Sequence, residues 1–212
     1  EWAVKMRRLS ESGTLAEMLR TDALQTPLIR NLAARIAEFH RTSESSAKIS
    51  RFGRFEAIAA NFQDNLDQAA RSVGTTISHQ VCSRLTERTH AELNRLRSLI
   101  DHRAEAGVPR DTHGELRLEH VYHRPDVQPP DDWRIVDCIE FNDGFRYADP
   151  VADVAFLVMD LKFSGRLDLA ICFANAYFAA ANDAAGQRLL PLYTSYRSAI
   201  RAKFEKIVAG EQ

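Results

Sequence analysis

The sequence predicts a mainly α domain with one small β-hairpin, an α+β arrangement. Apolar residues recur at helical spacing over most of the chain, as in Leu28, Leu32 and Ile36, and again in Leu93, Leu96 and Ile100. One stretch alone, 118–139, holds two short apolar runs parted by a connection too rich in proline and aspartate to continue a strand. At 212 residues, 45% hydrophobic and 27% charged, the chain has enough apolar material for one core.

In chain order, Glu1 leads straight into a strand-like run, Trp2 to Met6, so the chain reads as part of something longer. Ser12 or Thr14 caps a short helix over Leu15–Leu19, with Glu17 in its first turn. Pro27 suits the first turn of a second helix, whose apolar stripe ends at Phe39 and His40; His40 reads as a core or capping histidine. From Thr42 to Ser50 the Ser, Thr and Lys content reads as an exposed loop. Residues 55–73 and 77–106 then read as a helical hairpin, with Leu85, Leu93, Leu96 and Ile100 on one face.

Gly107-Val108-Pro109 stops that helix. A polar loop opens at His113, and Leu118–Tyr122 and Trp133–Ile139 read as paired strands, the second running on to Phe141 with acids in an apolar run. Asp149 before Pro150 is a helix start, the acid at the cap and the proline in the first turn. Three helices follow: 151–163, almost wholly apolar; 167–181, rich in alanine; and a last one with Tyr193, Tyr196, Ile200, Phe204 and Ile207 as a core stripe. Arg197, Arg201 and Lys203 on its other face read as solvated.

Composition excludes several classes. A formal net charge of -1 offers no electrostatic basis for binding nucleic acid or an anionic membrane. No apolar run approaches the ~20 residues that span a bilayer, and no secretory signal is present. Cys82, Cys138 and Cys172 are odd in number and widely spaced, which fits a reducing cytoplasm rather than a disulfide framework. None of the nine glycines forms a GxGxxG or GxxxxGK[ST] loop, so no phosphate cradle is recognisable.

The residues that look chosen for chemistry lie in Asp111–Asp143. A loop carboxylate, Glu115, a second polar group five residues on, His120, and an acid some twenty residues later, Asp137, form a set that a hairpin brings together. Such a set can bind Mg²⁺ through oxygen ligands and leave one carboxylate to orient a hydroxyl.

HGELRLEH at 113–120, VDCIEFND at 136–143 and YADPVADVAFL at 147–157 together resemble the C-terminal lobe of the aminoglycoside phosphotransferase family, a branch of the protein-kinase-like fold. The similarity runs over nearly the whole chain, and is greatest to bacterial proteins in which such a domain precedes a P-loop ATPase domain. The resemblance implies one lobe over 1–212: a hinge or edge strand at 1–9, a helical insertion shaping the substrate cleft at 55–106, the catalytic loop and metal strand at 111–143, and closing helices at 150–207. Ala3-Val4-Lys5 superficially matches a kinase strand lysine, but no glycine-rich loop precedes it, and the N-terminal lobe reads as absent.

The resemblance implies an ATP-dependent phosphotransferase acting on a small-molecule hydroxyl with Mg²⁺. It puts the catalytic base at Glu115, with His113 bracing the loop and Arg117 against a phosphate or local acids. Metal ligands fall on Asp137 and His120, with Glu119 and Glu140 nearby, and Asp153 braces the catalytic loop. Glu115 and His120 depart from the family's Asp and Asn. The longer side chain moves the carboxylate by roughly 1 Å, a shift that can cost about 10²-fold in rate. The imidazole suits a transition metal better than Mg²⁺. An acidic cleft would favour a cationic substrate.

Two rival readings stand beside this one. His113, His120 and His123 with Glu115, Glu119 and Cys138 can be read as a transition-metal site, although H-x6-H-x2-H matches no zinc-protease spacing. The second is a non-catalytic kinase-like domain that binds a ligand and regulates an attached or adjacent ATPase.

Overall fold

A computed structural model describes residues 9–75 and 77–210, with side chains to residue 202. The run at 2–6 and most of the 1–9 segment, and the side chains of Lys203, Phe204 and Ile207, fall outside that range. After a 3₁₀ turn at Glu11–Gly13 come α1 (Leu15–Arg20), α2 (Thr26–Thr42), α3 (Ala47–Phe52), α4 (Phe55–Ala70) and α5 (His79–Glu105). Short strands β1 (Arg110–Asp111), β2 (Val121–His123) and β3 (Trp133–Ile135) follow, then α6 (Asp143–Arg146), β4 (Tyr147–Ala148), α7 (Val151–Phe163), α8 (Leu167–Ala181), α9 (Ala184–Gln187) and α10 (Leu190–Gly210). Among the described residues the molecule is mostly helical, as the sequence predicts; the expected hairpin, β2–β3, is joined by a second antiparallel pair, β1–β4, that the sequence reading did not include.

Local chemistry explains most boundaries. The Thr14 hydroxyl accepts from the Glu17 amide at 3.1 Å and starts α1. Pro27 occupies the first turn of α2. Gly107 takes φ +68° after α5, a conformation costly for any residue with a Cβ. The Asp149 carboxylate accepts from the Val151 amide at 3.0 Å as α7 begins.

α7 is the central element. Every residue from Val151 to Leu161 is buried, because α8 covers one side and α10 another. α4 and α5 form the expected antiparallel pair, tied by Arg97 to Glu56 (2.7 Å) near one end and by His90 to Gln63 (2.9 Å) further along. Arg103 of α5 is buried and grips Asp149 with two hydrogen bonds (2.6 and 3.0 Å) and Asp183 with two more (2.6 and 2.7 Å). That cluster fixes the starts of α7 and α9 against α5.

Four sequence expectations need correction. The supposed loop at 42–50 contains the start of α3, which Ser46 begins by accepting from the Ile49 amide at 3.3 Å. Leu118–His120 is a 3₁₀ turn, and the hairpin pairs Val121 with Ile135, Tyr122 with Arg134 and His123 with Trp133. The second strand stops at Ile135, because Asp137 adopts φ +64° and breaks the pleat. Arg197 and Arg201 are not on a solvated face: Arg197 lies over the Phe156 ring at 3.9 Å, and Arg201 reaches the buried Asp160 at 2.5 Å.

Candidate functional site

The loop His113–His120 is held from below by α7. Asp153, fully buried, accepts from the His113 amide at 2.7 Å and the Gly114 amide at 2.9 Å. Asp160, seven residues later and therefore on the same helix face, accepts from Arg117 Nε at 2.9 Å and the Leu118 amide at 3.3 Å. Burial alone would raise the Asp153 carboxyl pKa; hydrogen bonding and charge from His40, with the His113 amide, outweigh it and hold the group below its ordinary value. His40, buried at the end of α2, contacts both Asp153 (3.3 Å) and the Tyr177 hydroxyl (2.8 Å), so its role lies in the core as expected.

Gly114 takes φ +84°, and a Cβ there would sit 2.9 Å from the Phe145 carbonyl oxygen and 3.3 Å from Ile139. Only glycine makes this turn without strain. The segment 136–139 laces onto the loop by three bonds: His113 Nε2 to the Val136 carbonyl (2.8 Å), the Ile139 amide to the His113 carbonyl (3.0 Å), and the Val136 amide to the His120 carbonyl (3.0 Å). Since a carbonyl only accepts, His113 carries its proton on Nε2, and its Nδ1 accepts from the Glu115 amide at 3.3 Å. Burial pushes the His113 pKa down, keeping the ring neutral. His113 therefore braces the loop through backbone contacts.

Glu115 is half-buried, and its carboxylate has no hydrogen-bond partner among the described residues. It borders a cavity of about 320 Å³ between α4 and α10, whose walls include Asn65, Tyr196 and Arg197 and whose lip is the pair Phe141 and Phe145. Tyr193 and Tyr196 pack on Phe62, but Tyr196 also faces this cavity, so the stripe is not all core.

His120, at the end of the same loop, meets Asp137. His120 Nδ1 donates to the Glu115 carbonyl at 2.8 Å, and Nε2 lies 3.4 Å from Asp137 Oδ2, whose side chain is exposed. In the neutral ring this turns the Nε2 lone pair toward a carboxylate oxygen, an arrangement that a cation between the two relieves. The pair thus presents one nitrogen and one oxygen donor. Glu119 instead lies 3.7 Å from Arg117, and Glu140 is exposed; among the described residues, no three His, Cys, Asp or Glu side chains converge on one point. Arg117 is held by Asp160, which keeps its guanidinium pKa raised against the effect of burial. His123 pairs with Asp132 at 3.7 Å and packs on Trp133, so the three-histidine metal reading finds no cluster.

Three residues of this region escaped sequence reasoning. Asp160 had a signal, an acid seven residues after Asp153 inside an apolar helix. Asn65 and Arg197 had none, because each looks like an ordinary polar residue on an amphipathic helix.

No family model matches the chain. Uncharacterized proteins of Mycobacterium tuberculosis and Mycobacterium bovis are each 30% identical to it over 205 residues, which covers 97% of this chain and 40% of theirs. The chain therefore spans less than half the length of these curated relatives. A solved structure of a glucosamine kinase is similar over 89% of this chain and 48% of its own, at 17% identity and a TM-score of 0.43. Among the described residues, no helix is long and apolar enough to cross a membrane.

Proposed function

We propose that this chain is the C-terminal lobe of a kinase-like phosphotransferase, which moves the γ-phosphoryl group of ATP to a hydroxyl of a small molecule. The observation that carries the reading is the position of Glu115. It is a carboxylate without a hydrogen-bond partner among the described residues, on a loop clamped at both ends by α7, bordering a cavity and sharing that loop with His120 of the His120–Asp137 pair.

In this reading Asp137 and His120 hold the metal, and bound ATP with Mg²⁺ supplies the phosphoryl donor and neutralises its charge. Glu115 orients the acceptor hydroxyl and takes its proton at a carboxylate oxygen. The hydroxyl oxygen bonds to the transferred phosphorus as the bond to ADP breaks. Asp153 and Asp160 keep Glu115 in place, and the cavity wall keeps water from competing as acceptor. The nitrogen ligand at His120 makes Mn²⁺ a better partner than Mg²⁺.

A second reading, a non-catalytic ligand-binding domain regulating an attached P-loop ATPase, draws support from the single nitrogen and single oxygen at the metal position, and from the greater length of the relatives. Calorimetry on the whole protein separates the two readings. The phosphotransferase reading expects ATP binding that requires Mg²⁺ or Mn²⁺ and is lost in Asp137→Ala. ATP binding indifferent to metal, or none, would sink it.

A further inference from the structure

Folding leaves two phenyl rings uncovered at the mouth of the cavity beside Glu115. Phe141 is 82% exposed and Phe145 48%, and among the described residues the only ring that Phe141 meets is Phe145, edge to face with centroids 6.5 Å apart. One exposed apolar side chain is ordinary. These two form a pair, and the chain holds them there. Before them the Ile139 amide donates to the His113 carbonyl at 3.0 Å, and between them the Asn142 side chain accepts from the Gly144 amide at 2.8 Å. After them Arg146 grips Asp111 with its guanidinium (2.7 Å from Nη2), while its carbonyl accepts from the Thr112 amide at 3.1 Å. A segment tied at both ends to the strand and loop that lead to Glu115 is not free to tuck its rings away. Their apolar surface stays against water until something else covers it.

The cavity behind the rings continues that surface. Ile139, Met159, Tyr196 and Ile200 line it, and Asn61 and Asp64, on one face of α4, add polar groups. Its volume of about 320 Å³ falls in the range of small-molecule pockets, about 300–1,000 Å³, which are largely apolar and carry a few polar groups. The arginines of the wall are set against acids: Arg117 and Arg201 meet Asp160, and Arg197 lies in the fields of Asp153 and Glu115. Aromatic surface, rather than charge, is what the cavity offers a ligand.

We propose that this cavity takes an uncharged acceptor alcohol that carries an aromatic ring, the ring lying against Phe141 and Phe145 and a hydroxyl reaching Glu115. The proposal deepens the reading given above and rests on Glu115 orienting the acceptor. An aryl glycoside and a nucleoside share this chemistry, since each joins one flat ring to a sugar that bears hydroxyls. Stacking on one aromatic side chain is expected to contribute about tenfold in affinity.

Titration calorimetry on the whole protein, without nucleotide or metal, tests it with two matched pairs: phenyl β-glucoside against methyl β-glucoside, and uridine against ribose. Cyclohexyl β-glucoside supplies a ring of similar size without a π-system. In at least one pair the aromatic member is expected to bind at least about tenfold more tightly than its partner, and the pair that does so identifies what carries the ring. Cyclohexyl β-glucoside should bind less tightly than the phenyl compound. Phe141→Ala should erase the preference and Phe141→Trp should keep it. Because this side chain is so exposed, both variants should keep the native thermal midpoint, which separates lost binding from unfolding. Equal binding within both pairs, no binding of any probe, a preference that survives in Phe141→Ala, or cyclohexyl binding as tight as phenyl would overturn the proposal. With no phosphoryl donor present, such a failure leaves the metal-dependent ATP experiment to judge phosphoryl transfer by itself.

Discussion

Asp153 and Asp160, two turns apart on one face of α7, take hold of the two ends of the same loop, at His113–Gly114 and at Arg117–Leu118. The spacing of the loop's ends is thereby set by the pitch of a buried helix. Glu115, between the clamps, inherits a fixed position although its own side chain has no partner among the described residues.

Asp153→Asn should be strongly destabilising. The amide offers one acceptor where the carboxylate offers two, and turns an NH₂ toward a backbone N–H inside the core. Charge-assisted bonds of this kind are worth about 1.5–3 kcal/mol each, so a loss of about 3 kcal/mol is expected in urea unfolding. A loss below about 1 kcal/mol would mean that the clamp does not hold the loop.

Glu115→Gln separates position from chemistry. Without a partner to lose, the variant should keep its stability within about 0.5 kcal/mol. If Glu115 takes the acceptor proton, turnover measured as phosphoryl transfer to the acceptor should fall about 10²–10⁴-fold while ATP binding persists. Unchanged turnover would remove Glu115 from the reaction.

Acid should destabilise the protein in two stages. Burial holds the His113 pKa below its ordinary 6.5, so the unfolded chain binds the proton more readily. Its contribution is whole above about pH 6.5 and is lost as the pH falls below that value. The Asp153 carboxyl, held below its ordinary 3.8, contributes above that range and is lost as the pH falls further. Urea midpoints measured from about pH 7.5 down to 5 should decline in the native protein, and His113→Gln should remove that first stage.

Arg103→Met should cost about 3–5 kcal/mol, since it leaves Asp149 and Asp183 facing each other without their shared cation. Those partners hold the Arg103 pKa above its ordinary value despite burial. Thermal unfolding of the variant at neutral pH measures the loss, and a midpoint equal to that of the native protein would show the cluster to be dispensable.

Helix positions were legible in the sequence because amphipathic spacing and caps are local. Thr14, Pro27 and the Asp149-Pro150 start sit where the sequence predicts them, and so does the long α4–α5 pair, while the hairpin forms in the expected stretch with shorter strands. The start of α3 was not, because its serine and lysine content reads as loop while one Ser46 cap and buried Ile49 suffice for a short turn of helix. Asp137 was read as a strand residue, since alternation in VDCIEF cannot reveal a positive φ imposed by contacts with His113 and His120.

By itself, then, the sequence determined the mainly α architecture and the residues that gather around the loop, because periodicity, capping and motif order are properties of neighbours along the chain. Only the tertiary structure decided how they are used. It set His120 against Asp137, engaged Arg117 with Asp160, and left Glu115 without a partner among the described residues. It also brought Asn65 of α4 and Arg197 of α10 to one cavity. Those outcomes depend on which helix faces pack together and on where buried charge finds its counter-charge, and both are settled between residues far apart in the chain.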